Sequence, residues 1–130
     1  CSEWENVLGL RKIGREVVVV GGTSSADLAL GSSAMDSVFA GSGNRYASEG
    51  FVCVLDDSLS EVRSASYLGG SGIDSPGGLA VDTDGGLWIV GATTSQDFEM
   101  TGFSTTFGGG TWRRAGGLWG GDLFLVRLRR

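Results

Sequence analysis

Short apolar runs separated by glycine-rich turns set the pattern of this chain. Residues 17–20 are four consecutive valines, residues 87–90 read Leu-Trp-Ile-Val, and residues 51–55 read Phe-Val-Cys-Val-Leu. Runs of this length, rich in β-branched and aromatic residues and bounded by glycine, read as β-strands. Seven strands are expected: residues 7–11, 16–23, 51–56, 62–68, 79–82, 87–93 and 123–129. Residues 16–23 and 87–93 are apolar on both faces, the pattern of a strand covered on two sides. No window combines a 3.6-residue period with caps, so almost no helix is expected.

The strands fall into two copies of one unit. Val-Gly-Gly-Thr-Ser-Ser-Ala-Asp-Leu at 20–28 aligns with Val-Gly-Ala-Thr-Thr-Ser-Gln-Asp-Phe at 90–98, an offset of 70. Glu-Gly-Phe-Val-Cys-Val-Leu at 49–55 aligns with Asp-Leu-Phe-Leu-Val-Arg-Leu at 122–128, an offset of 73, so the three extra residues fall in the loop between the blocks. A period of this kind marks a repeat architecture. The expected division is 1–70 for the first unit and 71–130 for the second. The first has a four-stranded antiparallel sheet. The second has three strands and stops before its own fourth.

The segment from Ser66 to Phe98 runs Ser-Tyr-Leu-Gly-Gly-Ser-Gly-Ile-Asp-Ser-Pro-Gly-Gly-Leu-Ala-Val-Asp-Thr-Asp-Gly-Gly-Leu-Trp-Ile-Val-Gly-Ala-Thr-Thr-Ser-Gln-Asp-Phe. Its Tyr-Leu-Gly-Gly-Ser-Gly lead-in, Ala-Val-Asp strand, Asp-Gly turn and Asp-Phe element resemble the bacterial β-propeller repeat family SBBP. Gly-Gly-Asp-Leu-Phe at 120–124 is similar to the family's later strand. The resemblance covers residues 63–130 well and 14–56 more weakly. In the weaker part Lys-Ile-Gly-Arg at 12–15 stands for the Asp-x-Asp-Gly turn; Glu99 occupies the family's usual proline position. The resemblance implies an all-β fold of two propeller blades, of about four and three strands, with an incomplete ring. It also implies a secreted or cell-surface bacterial setting and no catalytic residue.

Composition narrows the chemistry. Glycine at 24 positions against one proline fits many tight turns, and 41% apolar residues exclude disorder by low hydrophobicity. The net charge of −5 disfavours nucleic acid and anionic membrane surfaces, which need a basic stripe. The chain has no histidine, which excludes Ser-His-Asp and Cys-His catalysis and histidine-ligated zinc. No enzyme activity and no cofactor are expected. No apolar stretch reaches the ~20 residues of a membrane-spanning helix. Cys53, within an apolar run, reads as a small buried hydrophobe. Cys1 is either a lipid-bearing lipoprotein end or an arbitrary boundary, and a Cys1–Cys53 disulfide stays open.

Five features are candidate sites. Asp82 and Asp84, in Asp-Thr-Asp-Gly-Gly, read as a hairpin turn, with calcium binding a weak alternative because Thr93 stands where an EF-hand needs glutamate. Asp27 and Asp97 recur in both units and suit the capping of backbone N–H groups. The long second loop, 99–121, holds Phe103, Phe107, Trp112, Arg113, Arg114 and Trp119. Tryptophans beside arginines on a loop suit a glycan or a protein partner, and equally suit local core. The first loop, 29–48, offers Phe39, Arg45 and Tyr46. Arg127, Arg129 and Arg130 border the last strand, where charge guards a free edge or receives a neighbouring strand.

Two blades cannot close a ring, and their outer faces would be left as exposed apolar surface. Either the chain is a fragment of a longer propeller, or copies complete a ring, or copies stack into a fibre. A non-catalytic structural or interaction module that self-associates, outside the cell or in the periplasm, is the expected function. A carbohydrate- or ligand-binding propeller using the 99–121 loop is the alternative.

Overall fold

In the computed structural model, residues 3–28, 37–40, 49–98, 111–114, 117–120 and 122–128 are described, with 111–114 and 117–120 given by their backbone. Nine strands appear in chain order: β1 (Glu5–Ile13), β2 (Glu16–Thr23), β3 (Glu49–Asp56), β4 (Val62–Leu68), β5 (Asp74–Val81), β6 (Leu87–Thr93), β7 (Thr111–Arg114), β8 (Gly117–Gly120) and β9 (Asp122–Leu128). They form antiparallel sheets in the orders β1-β2-β3-β4, β5-β6-β9 and β7-β8. Among the described residues there is no helix. The expected four- and three-stranded sheets are present; the third, a two-stranded hairpin, lies inside the stretch expected to be loop.

The first strand of each unit is longer than expected. β5 begins at Asp74 and includes Pro76, which has no N–H to give a ladder. An edge strand beside a bulge tolerates this, and β5 is an edge whose register shifts between Pro76 and Gly78. β1 carries the equivalent shift between Val7 and Gly9. The β1–β2 turn places Gly14 at φ +58°, and the β5–β6 turn places Gly85 at φ +82°. Glycine meets these left-handed positions without the Cβ clash of other residues.

The two units repeat at the level of single hydrogen bonds. Ser24 N donates to the Trp4 carbonyl and Thr94 N to the Ile73 carbonyl, both at 2.9 Å. Trp4 N donates to Ser24 Oγ at 3.1 Å and Ile73 N to Thr94 Oγ1 at 2.7 Å. Gly21 and Gly91 likewise lie beneath the rings of Phe51 and Phe124, where an added Cβ would come within 2.9 and 2.6 Å of the ring carbons.

One core joins the two sheets. Val18, Val20, Val52 and Leu68 from the first pack with Leu87, Ile89, Phe124, Val126 and Leu128 from the second, and Phe98 stacks on Phe124 at 4.8 Å. β2 is only partly covered on its second side: Val18 and Val20 face the core and are buried, whereas Val17 and Val19 on the other face are half-buried. β6 is covered on one side only. Its residues alternate strictly between buried and exposed, because only one of its faces meets the first sheet.

Candidate functional site

Each unit closes its first strand onto its second with a carboxylate latch. Asp74 is fully buried; its Oδ1 accepts from Thr93 Oγ1 at 2.5 Å, and its Oδ2 from Ser95 Oγ at 2.8 Å and Gly70 N at 2.9 Å. Burial pushes the Asp74 carboxyl above its ordinary value, against the lowering effect of these bonds, and the negative Asp97 adds to the rise. In the first unit Glu5 Oε1 accepts from Thr23 Oγ1 at 3.3 Å and from Ser25 Oγ. Ser95 N to Thr93 Oγ1 and Ser25 N to Thr23 Oγ1 are both 2.9 Å. Repetition in both units, with serine and threonine hydroxyls as donors in each, marks this as a corner of the fold.

Asp97 has the capping role expected of it. Its Oδ1 accepts from Ser71 N and Ser71 Oγ, both at 2.9 Å, and these bonds hold its carboxyl below the ordinary value. Tyr67, a buried β4 residue, ties the first unit's corner by donating to the Ser25 carbonyl at 2.9 Å and accepting from Leu28 N at 3.2 Å. Phe39 meets the Tyr67 ring edge-on at 5.6 Å.

The Asp82 turn is a hairpin closed by the protein's own donors. Asp82 Oδ1 accepts from Gly86 N at 2.7 Å and Asp84 N at 3.0 Å. Its Oδ2 takes Arg127 Nη2 at 2.6 Å, Arg127 Nε at 2.8 Å and Trp88 Nε1 at 3.2 Å. Arg127 therefore stands where a cation would sit, 3.8 Å from Asp84 as well, and holds the Asp82 carboxyl below its ordinary value. Among the described residues no group of three or more acidic or cysteine side chains could hold a metal ion. Arg127 also lies over the Trp88 ring at 5.6 Å. Its guanidinium is thus engaged with this turn, which the edge-guard expectation did not foresee; Arg129 and Arg130 fall outside the described residues.

Within the second long loop, the β7–β8 backbone register sets Trp112 opposite Trp119, Arg113 opposite Leu118 and Arg114 opposite Gly117. The two tryptophans are thus brought to one cross-strand pair. They also stand 73 residues after Phe39 and Tyr46, the same offset as Phe51 and Phe124, a signal in the sequence that ties this aromatic pair to the repeat. Phe103, Phe107, Arg45, Tyr46 and Cys1 lie outside the described residues. Cys53 is free and half-buried, and burial raises its thiol, so it is less readily ionised than an ordinary cysteine.

A further feature is a surface. On the side of the second sheet turned away from the core, Leu123, Leu125, Val90 and Trp88 are 66, 63, 43 and 37% exposed. The register sets Leu125 beside Val90, Leu123 beside Ala92, and Arg127 beside Trp88, so these side chains are contiguous. Its apolar side chains face outward on one side of the second sheet, opposite the core.

Residues 65–99 match the family model of SBBP, described as a beta-propeller repeat. The match runs from the inner half of β4 through the Asp74 latch, β5, the Asp82 turn and β6 to the residue after Phe98. Neither the curated proteins nor the solved structures compared contain a match to the chain. The all-β architecture, with antiparallel sheets of four and three strands, is that of partial propeller blades. No helix among the described residues is long and apolar enough to cross a membrane.

Proposed function

We propose that the chain is a non-catalytic structural or interaction module of the β-propeller type that associates with further sheets of its own kind, supplied by other copies or by a longer polypeptide. Its setting is extracellular or periplasmic, as the family resemblance implies. The observation that carries this reading is the open apolar face of the second sheet beside a fully packed contact between the two sheets. Its titratable clusters support it too, because Asp74, Asp82 and Asp97 each bind protein donors that hold turns and corners together. Light scattering after size exclusion tests it. The weight-average mass rises with concentration above the 13.4 kDa of one chain; a constant single-chain mass at every concentration refutes self-association.

A second reading rests on the cross-strand placement of Trp112 and Trp119. Paired aromatic residues on a hairpin flanked by Arg113 and Arg114 suit stacking against a sugar ring. A glycan array comparing the parent chain with the Trp112→Ala, Trp119→Ala double variant tests it. Binding that survives the substitution removes the hairpin as the site.

A further inference from the structure

The repeat makes it possible to say which face meets which. Offsets of 70 for β2/β6 and 73 for β3/β9 make Val18, Val20 and Val52 the counterparts of Trp88, Val90 and Leu125. Val17, Val19 and Cys53 correspond in the same way to Leu87, Ile89 and Val126. Alternate residues of a strand point to opposite sides. The core is built from Val18, Val20 and Val52 of the first sheet against Leu87, Ile89 and Val126 of the second. Opposite faces of the repeat therefore meet. The face that the first sheet buries is the one that the second sheet leaves open, and the face that the second sheet buries is half-open on the first.

We infer that the open face of the second sheet seats the outward face of the first sheet of another copy, continuing the stacking already established inside the chain. This rests on the self-association reading above and specifies its geometry. Leu10 illustrates the complementarity. It pairs with Val19 in register and is exposed, whereas its repeat counterpart Leu79 belongs to the core. Trp88, Val90, Leu123 and Leu125 of one copy thus take Leu10, Val17, Val19 and Cys53 of the next. A joint of this kind is heterologous: it uses two different surfaces and leaves one of each free at the ends, so it propagates or closes into a ring and forms no two-fold dimer.

Two exposed positions allow each surface to be blocked separately. Leu125→Asp places a charge on the second sheet's open face, and Leu10→Asp on the first sheet's outward face. Both side chains lie outside the core, and circular dichroism with a thermal melt checks that each variant folds. Sedimentation velocity is then run on the parent chain, on each variant alone, and on their equimolar mixture. The expected result is a parent mass that grows with concentration, each variant sedimenting as a single chain, and a mixture forming a 1:1 pair that grows no further. A Leu10→Asp chain that still self-associates, or a mixture that stays monomeric while the parent assembles, overturns the inference and leaves self-association standing. A parent chain that is monomeric throughout overturns the self-association reading itself.

Discussion

Replacing Asp74 tests whether the carboxylate latch is structural. The side chain is fully buried and accepts from Thr93 Oγ1, Ser95 Oγ and Gly70 N. Asp74→Ala leaves three donors without that acceptor, and a buried unsatisfied donor costs about 1–3 kcal/mol. The Gly70 N–H is fixed by the backbone and bears the full cost. Ser95 Oγ and Thr93 Oγ1 already accept from Gly72 N and Ser95 N, which limits how their hydroxyls can turn. Relief of the carboxylate's own desolvation offsets part of the loss, giving a net destabilisation of about 2–4 kcal/mol. Asp74→Asn keeps an acceptor for Gly70 N, so its loss is smaller, about 1 kcal/mol. The raised carboxyl also fixes a pH dependence. Between the unfolded value of about 3.9 and the higher native one, the native state binds more protons than the unfolded state. Wild-type stability relative to Asp74→Asn is therefore fullest below the unfolded value, declines as pH rises through the native value, and is constant above it. Urea unfolding of all three chains from acid to neutral pH measures this. An alanine variant within 0.5 kcal/mol of wild type, or a wild-type advantage over asparagine that grows with pH, refutes the latch as described.

Leu59 is exposed and holds φ at +59°, so Leu59→Asn or Leu59→Gly raises stability by about 0.5–1 kcal/mol in the same unfolding assay. Gly91→Ala drives a methyl group into the Phe124 ring and the Ser75 carbonyl and lowers stability by about 2–3 kcal/mol. Gly14→Ala meets no atom within 4 Å and costs about 1 kcal/mol, from its positive φ alone. Arg127→Ala removes the main cause of the lowered Asp82 carboxyl, so its midpoint, followed by NMR titration, moves up towards the ordinary aspartate value.

The strands were legible because their apolar runs are short, β-branched and punctuated by glycine; β2, β4 and β6 have the expected ends. The start of β5 was not, because Pro76 masks an edge strand that needs no N–H at that position. The β7–β8 hairpin was missed for a related reason. Thr-Trp-Arg-Arg at 111–114 carries no apolar alternation, and the glycines around it read as loop. The latch was half-visible: Thr93, Ser95 and Asp97 stood out as repeated, but their partners Asp74 and Ser71 lie 19 to 26 residues earlier, where only the folded register joins them. An unsatisfied apolar surface followed from two units that cannot close on themselves. Which of its faces stays open did not follow, because β2 and β6 are equally apolar on both sides and only the contact between the sheets tells them apart.

A thiol crosslink of matched length tests the stacking geometry most directly. Cys53 stands at the repeat position of the core residue Val126, and Leu125 at that of the core residue Val52. Sheets packed face to face lie about 10 Å apart, beyond the reach of a disulfide, so a Leu125→Cys chain, with Cys1→Ser to remove the other thiol, is treated with a bismaleimide of about that span and its covalent mass read by denaturing electrophoresis. The account predicts a ladder of crosslinked multimers that disappears on Cys53→Ser, whereas Ser58→Cys, placed on an exposed turn, yields none. A chain that stays single with the crosslinker, or multimers that persist without Cys53, would contradict it.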